Sequence, residues 1–364
     1  MEESSQMINR HNPGIDLLRV VAGCYVLLVH ALVPSGIVIT LQEGTLSYKI
    51  AWFLVAWGIG MVDIFALISG YTGYTPEEKK TNWPRLIELW LEVVFYSAAG
   101  QIIFTLLYKP ADGIDKFWEA FFPLTFNRYW FFSAYVGLMF IRPFIDMGLR
   151  YTEKAQLKRF IPLLVMSYSV FNFLNSSSDP FVLANGYSPF WITVLYIIGA
   201  AARKCELGKN ISLWKLIVTG ILMIVVSWLW KIYGISFRFL NIDITQDSLI
   251  GYTSPTVVIT ALLYVLIFSR LTFSAPLKKI IRFVSPSAFA IYLLNAHPLY
   301  YKYMFYGSLD KWVGRRASVL FTIIFLYVIS FLIFALLTDK IRQFLFRFLH
   351  VQKGIRGLFA RKHS

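Results

Sequence analysis

Long apolar runs, broken by short polar connections, dominate this chain of 364 residues. Ten runs of roughly twenty residues recur along it, which is about the length that spans the ~30 Å hydrocarbon core of a bilayer. The pattern therefore predicts an all-α, polytopic integral membrane protein with about ten transmembrane helices. The predicted spans are residues 15–37, 50–71, 86–108, 128–149, 160–175, 188–203, 213–233, 254–271, 283–304 and 317–338.

The connections are short and no internal repeat is visible, so residues 1–338 are predicted to form one transmembrane domain. Residues 339–364 are predicted to form a basic, amphipathic cytoplasmic tail. Apolar residues recur there at helical spacing among Lys and Arg, the pattern of a helix on an anionic membrane surface. Membrane lipid is therefore the expected partner of the tail. The apolar positions are Ile341, Phe344, Leu345, Phe348 and Leu349.

Composition supports the membrane interpretation, since 57% of the residues are hydrophobic, 15% are charged and the mean hydropathy is +0.60. The net charge of +15 raises the possibility of nucleic-acid binding, but the basic residues lie in short connections between spans. A positive-inside bias explains them more simply. Cys24 and Cys205 fall in or next to different spans, and no disulfide or metal site is expected. The first span is expected to remain as an anchor.

Lys and Arg also predict the orientation. Of the 35 basic residues, 22 lie in the N-terminus, the tail and the connections on their side, and 10 lie in the other connections. The first set is predicted to face the cytoplasm, with both termini inside. We therefore expect a multi-pass protein of the cell (plasma or inner) membrane.

The first span carries two polar residues that are unusual inside a membrane. Arg19 and His30 are eleven residues apart, which is about three turns, so they share one face of a helix and lie roughly 16 Å apart along it. Ionisable groups within a membrane are costly and mark functional-site hypotheses. The ordinary alternative is that Arg19 extends to the headgroups while His30 makes one polar contact.

Polar residues of three other spans are predicted to line the same route across the membrane. A positive charge at its cytoplasmic mouth suits phosphate, deeper imidazoles suit general base catalysis, and outer aromatics suit sugars. Trp130 and Tyr135 are equally compatible with an interfacial belt. The ordinary alternative for Asp63 is a structural ion pair with Arg19, and the one for His297 is a hydrogen bond to a backbone carbonyl freed by Pro298. The full set comprises Asp63, Ser69 and Gly70 in the second span, Trp130, Ser133, Tyr135 and Arg142 in the fourth, and Tyr292, Asn295 and His297 in the ninth.

Four motifs resemble those of one family. R-V-V-A-G-C-Y-V-L-L-V-H from Arg19 to His30 is similar to the R-x10-H signature of the membrane-bound acyltransferase-3 family. V-D-I-F-A-L-I-S-G-Y (62–71), W-F-F-S-A-Y (130–135) and S-A-F-A-I-Y-L-L-N-A-H-P (287–298) resemble its later helices. The resemblance implies transfer of an acyl group, usually acetyl, from cytoplasmic acyl-coenzyme A to a hydroxyl of an extracytoplasmic cell-envelope polysaccharide or its lipid-linked precursor.

The resemblance implies the catalytic pair and the co-substrate, and the other expected roles follow from the predicted positions of the residues. Arg19 and His30 are the expected catalytic pair, and Asp63 is expected to orient an imidazole. Acyl-coenzyme A, with acetyl-coenzyme A favoured, is expected as co-substrate, with no metal and no tightly bound cofactor. The expected acyl-coenzyme A contacts are Arg19, Ser69, Gly70 and Arg142. The expected acceptor contacts are Trp130, Ser133, Tyr135, Tyr292, Asn295 and His297.

The ninth span departs from the family pattern. Many relatives have a histidine directly after Y-L-x, where this chain has Asn295. Tyr292 and Asn295 are three residues apart and share a helix face, whereas His297 points elsewhere on a regular helix. Asn295 is therefore predicted to line the site and His297 to pack against another helix, although distortion at Pro298 leaves His297 as an alternative.

A second class of function also fits the polar route. A transporter or flippase for an envelope glycan or lipid-linked intermediate needs such a route as well. The lack of an internal repeat and the first-helix motif count against it.

Overall fold

The computed structural model describes residues 12–78, 82–108, 114, 116–174, 179–239 and 242–360. Helices dominate these residues, and the strands Phe237–Phe239 (β1) and Ile242–Ile244 (β2) form a small antiparallel hairpin, with Phe237 opposite Ile244. The predicted tail residues 361–364 and the N-terminal residues 1–11 lie outside the described residues.

The described helices are bounded as follows. The first half of the chain contains α1 (Pro13–Leu32), α2 (Ile37–Thr40), α3 (Leu46–Gly58), α4 (Met61–Gly73), α5 (Trp83–Leu107), α6 (Trp130–Tyr151), α7 (Lys154–Val165) and α8 (Phe171–Leu174). The second half contains α9 (Pro189–Lys204), α10 (Leu213–Tyr233), α11 (Pro255–Phe268), α12 (Ala275–Val284), α13 (Ala288–Asn295), α14 (Pro298–Tyr300), α15 (Ala317–Phe348) and α16 (Val351–Ala360). A π-helical turn, Met166–Val170, joins α7 to α8, and another, Tyr301–Phe305, follows α14.

Helix α1 begins at a well-defined cap. The Asn12 side-chain oxygen accepts hydrogen bonds from the backbone N–H groups of Gly14 and Ile15, at 2.9 and 3.2 Å. Pro13 follows at a position where a missing N–H costs nothing. From this start α1 packs against α3, α4, α11, α12, α13 and α15, so it lies in the centre of the bundle.

Helices α4 and α9 form the closest helix pair, through two reciprocal glycines. A β-carbon on Gly70 would lie 2.0 Å from the Tyr196 carbonyl oxygen, and one on Gly199 would lie 2.1 Å from the Leu67 carbonyl oxygen. Small residues permit such approach of helix backbones. Eleven of the 16 residues of α9 are buried, so this helix belongs to the core of the bundle.

Seven helical segments are long and apolar enough to cross a membrane, by length and composition, within the described part of the chain. The protein is therefore a multi-pass membrane protein, but the predicted count of about ten spans is not confirmed. Two of the other predicted spans form the shorter helices α9 and α11. The seven segments are Pro13–Thr40, Leu46–Gly73, Trp83–Leu107, Trp130–Tyr151, Lys154–Leu174, Leu213–Tyr233 and Ala317–Phe348.

The predicted span 283–304 is also missing from the seven long segments. It is divided into short helical pieces. Pro298 has no N–H to donate to the preceding turn, and Ala296 and His297 leave the helix between α13 and α14. His297 adopts an extended backbone conformation there. Because of this break, Asn295 belongs to the end of α13, whereas His297 lies in the extended connection before α14.

The end of the chain differs from a simple domain followed by a surface tail. Helix α15 runs without interruption over 32 residues, so the predicted boundary at residue 338 falls inside it. Helix α16 then packs against both α15 and α5.

Candidate active site

Two neighbouring cavities contain most of the polar residues singled out in the sequence. The first, of about 540 Å³, is named here the arginine cavity because Arg19, Arg85 and Arg142 line it. The second, of about 230 Å³, is named the histidine cavity because His30 lines it among aromatic rings. The face of α1 that carries Arg19 and His30 therefore lines the arginine cavity at Arg19 and the histidine cavity at His30.

In the arginine cavity, the arginines of α1 and α6 are held by carboxylates of their own helices. Arg19 donates to Asp16 Oδ1 at 2.6 Å, and Arg142 donates to Asp146 Oδ2 at 3.0 Å. A further Arg142 N–H donates to the Gly73 carbonyl at 3.3 Å. These contacts orient two planar guanidinium groups, whose geometry suits bidentate binding of phosphate.

Helix periodicity explains the remaining predicted members of this cavity. Ser69 and Tyr135 both line it. Tyr135 precedes Arg142 by seven residues, about two turns, so both lie on one face of α6. Tyr135 was expected among the acceptor contacts near Trp130, but it lies with the arginines instead.

In the histidine cavity, the imidazole is surrounded by rings. The His30 ring meets Tyr301 and Phe305 edge to face, with centroid distances of 5.5 and 5.9 Å. Its Nδ1 atom is buried and has no hydrogen-bond partner among the described residues. An imidazole nitrogen of this kind is chemically available as a base or nucleophile.

Trp130 and Tyr292 also line the histidine cavity, as do two tyrosines from connections. Trp130 contacts Tyr187 with ring centroids 4.4 Å apart, and Tyr252 lies 5.5 Å from Tyr187. Burial raises the pKa of the Tyr252 hydroxyl well above its ordinary value, so this hydroxyl stays protonated at neutral pH. The three rings form an aromatic wall opposite His30.

A narrow partition separates the two cavities. The rings of Phe65, Phe131 and Phe289 line both of them. Phe65 and Phe131 meet edge to face with centroids 5.9 Å apart, and Phe289 stacks on Tyr292 at 6.0 Å. These three rings, named here the phenylalanine partition, therefore form a wall that the two cavities share.

Asn295 and His297 face different parts of the bundle. The Asn295 amide is buried close to the His30 imidazole, and neither side-chain atom of Asn295 has a regular hydrogen-bond partner among the described residues. His297 Nε2 lies 3.2 Å from the Ser97 carbonyl oxygen, and its ring fills the space beside Gly100 of α5. Of the two, Asn295 is placed to interact with His30, while His297 joins α13 and α14 to α5.

Five predicted site residues line neither cavity: Asn295 and His297, whose surroundings are given above, and Asp63, Gly70 and Ser133. Asp63 accepts a hydrogen bond from Trp191 Nε1 at 3.2 Å, and it neither contacts His30 nor pairs with Arg19, whose partner is Asp16. Gly70 is occupied by the close packing of α4 on α9. Ser133 has a buried hydroxyl but lines neither cavity.

Some lining residues were not anticipated from the sequence. Arg85 had been assigned to a connection, yet α5 begins at Trp83 and brings it to the arginine cavity. Tyr187 and Tyr252 lie in connections without a helical pattern. The available signal was their position just before the starts of α9 and α11.

A family model described as an acyltransferase domain, the acyltransferase-3 type, matches residues 12–339. The chain belongs to the acyltransferase-3 family. This acyltransferase has no match among curated proteins and none among solved structures. The matched range includes both cavities, the partition and the histidine-bearing face of α1, and it ends before Arg342. Within the described residues, no group of three or more His, Cys, Asp and Glu side chains is placed to hold a metal ion.

Proposed function

We propose that this membrane acyltransferase moves an acyl group, with acetyl the favoured one, from cytoplasmic acyl-coenzyme A to a hydroxyl of an extracytoplasmic cell-envelope polysaccharide or its lipid-linked precursor. The observation that carries the proposal is the pairing of cavities on α1. Arg19 lies in a cavity with two further arginines, and His30 lies in an aromatic cavity across the phenylalanine partition.

In this mechanism the arginine cavity binds the anionic donor, and the thioester reaches His30 through the partition. His30 takes the proton of the acceptor hydroxyl while the hydroxyl oxygen attacks the thioester carbonyl. The carbon–sulfur bond then breaks and the protonated imidazole returns a proton to the leaving thiolate. The alternative order, in which the imidazole first carries the acyl group covalently, uses the same residues.

The remaining residues have supporting roles in this proposal. Asn295 beside His30 orients the imidazole or donates to the developing oxyanion. Trp130, Tyr187 and Tyr252 offer rings on which a sugar can stack. Asp63 is left out of the catalytic group because its carboxylate faces Trp191. No observation favours the transporter or flippase alternative.

The direct test supplies radiolabelled acetyl-coenzyme A to membrane vesicles that contain the protein and an envelope-glycan acceptor. We expect base-labile label on the glycan, as an ester requires. Vesicles without the protein are the control. Coenzyme A release without any labelled acceptor, or no turnover at all, contradicts the proposed reaction.

We propose that the protein lies in the cell membrane with both termini on the cytoplasmic side. In a background with Cys24 and Cys205 replaced by serine, a cysteine at exposed Glu43 should react with an impermeant thiol reagent added to intact cells. A cysteine at Lys154 should react only after permeabilisation. The opposite labelling would place the arginine cavity away from cytoplasmic coenzyme A and contradict the orientation.

A further inference from the structure

A third cavity, of about 440 Å³, lies where the end of the chain folds back on α5, and it is named here the tail pocket. Its principal lining residues are Arg85, Arg342, Phe346, Arg347, His350 and Lys353. Seven of the ten lining residues lie beyond residue 339, where the family match ends, and Arg85, Glu92 and Pro286 lie within it. The tail pocket is therefore built largely by a segment that the family domain does not include.

A buried polar network holds one wall of the tail pocket in place. Asp339 is fully buried and accepts hydrogen bonds from Tyr96 on α5, at 2.8 Å, and from Arg342, at 2.7 Å. Arg342 also lies 3.4 Å from the Glu92 carboxylate. On α16, Ile355 is buried against the bundle. The pocket is thus a built feature that joins α5, α15 and α16.

The charges of the tail pocket leave a positive surplus. Arg342 faces two carboxylates, Asp339 and Glu92, and Arg85 pairs with Glu88 at 3.0 Å, so four cations with Arg347 and Lys353 meet three carboxylates. Arg347 and Lys353 have no carboxylate partner among the residues that the structure describes. Two cations without a carboxylate partner lie beside the half-buried ring of Phe346, and the Arg342 guanidinium lies 5.1 Å from the centre of that ring. Together these groups suit a ligand that carries phosphate and an aromatic base.

The tail pocket adjoins the arginine cavity. Arg85 and Pro286 line both. A ligand with a multiply charged nucleotide at one end and a long uncharged arm can therefore place its phosphates in the tail pocket and extend the arm towards Arg19. Coenzyme A has this form, because its pantetheine arm joins the reacting thioester to a 3′-phosphoadenosine 5′-diphosphate.

We propose that the tail pocket binds the nucleotide end of the acyl-coenzyme A donor, chiefly through Arg347 and Lys353. This inference rests on the proposed function, since it names where part of the donor binds. Anionic lipid headgroups offer the same phosphate chemistry, and the experiment below separates the two sources.

The test uses the full-length purified protein and the double variant Arg347→Gln/Lys353→Gln. Its matched control is Arg356→Gln, which removes a positive charge from an exposed position of α16 outside the pocket. We expect the double variant to raise the KM for acetyl-coenzyme A about tenfold, as expected for two lost charge contacts, and to leave kcat unchanged. The KM for S-acetyl-pantetheine, which lacks the nucleotide, should not change. The charge-conserving variant Arg347→Lys/Lys353→Arg should restore most of the affinity.

Several results would overturn the inference. An unchanged KM for acetyl-coenzyme A in the double variant would show that the tail pocket does not bind the nucleotide end of the donor. An equal loss with S-acetyl-pantetheine would show a general structural defect. If Arg347, Lys353 and Arg356 contribute equally to binding of phosphatidylglycerol vesicles while the KM stays constant, the basic residues bind lipid headgroups instead.

Failure of the proposed function can be distinguished from failure of this inference. If the wild-type protein transfers acetyl from neither donor, the proposed reaction is wrong, and calorimetric binding of adenosine 3′,5′-bisphosphate still tests the pocket. Binding that is present in wild type and in Arg356→Gln but lost in the double variant supports the nucleotide site. Equal binding by all three proteins, or no binding by wild type, overturns it.

Discussion

The arginine cavity and the histidine cavity lie against the same face of α1, but charged side chains characterise the first and aromatic rings the second. In the arginine cavity, Arg19 and Arg142 are each oriented by an acidic residue three or four positions away on the same helix. In the histidine cavity, one imidazole is enclosed by rings that come from α4, α6, α13, the π-helical turn after α14 and two connections. Local helix geometry therefore orients the guanidinium groups of the arginine cavity, whereas tertiary packing makes the small aromatic cavity around His30.

The difference also separates binding from chemistry. A cavity of about 540 Å³ with several guanidinium groups suits recognition of a charged substrate, and one of about 230 Å³ around a single imidazole suits a reaction shielded from water. Variants on the two sides of the phenylalanine partition should therefore change different kinetic constants.

The largest effect is expected from His30→Ala. Loss of the proposed base should lower kcat by about 10²–10⁴-fold, while the KM for acetyl-coenzyme A changes little because the arginine cavity is intact. Steady-state kinetics on purified protein, with thermal unfolding as the folding control, measures this. Transfer near the wild-type rate would refute the role of His30.

Arg19→Lys should act on the other side of the comparison. The ammonium keeps the charge but cannot reproduce the planar fork beside Asp16, so the KM for acetyl-coenzyme A should rise about tenfold. The KM for the acceptor should stay near its wild-type value. If both constants change together, or if neither changes, Arg19 has a structural role and the division between the cavities does not hold.

The variants Asn295→Ala and His297→Ala form a paired test of the residues near the histidine cavity. Asn295→Ala should lower kcat about tenfold, because it removes the amide beside His30. His297→Ala should instead lower the thermal unfolding temperature, since its ring fills the space next to Gly100, with a smaller change in kcat. A greater loss of kcat in His297→Ala, at matched amounts of folded protein, would reverse the assignment.

The smallest expected effect concerns the partition itself. Phe289→Ala should widen the passage between the cavities and raise the kcat/KM for butyryl-coenzyme A relative to acetyl-coenzyme A by about three- to tenfold. Phe283→Ala, at an exposed position of α12, is the matched control and should leave the ratio unchanged. Competition assays with both donors measure the ratio directly. An unchanged ratio in Phe289→Ala would mean that the partition does not limit the acyl group.

Several features of the fold and of the candidate site follow from local pattern. The apolar runs predicted the helical membrane protein, and the R-x10-H motif predicted the family, which the match over residues 12–339 confirms. The spacing of Arg19 and His30 placed both on one face because an α-helix has a nearly constant rotation per residue. The predicted proximity of Tyr292 to the site followed from position along a span in the same way.

Other features depend on contacts between segments that are distant in sequence. The pairing of Asp63 with Trp191 and the close packing of Gly70 on α9 assign these residues to the core, and nothing in the second span alone distinguishes that use from a site. The break at Pro298 sends His297 towards α5, and the fold of α16 onto α5 creates the tail pocket. Periodicity determines which face a side chain occupies along one helix, but the partner of that face is decided only when the helices pack.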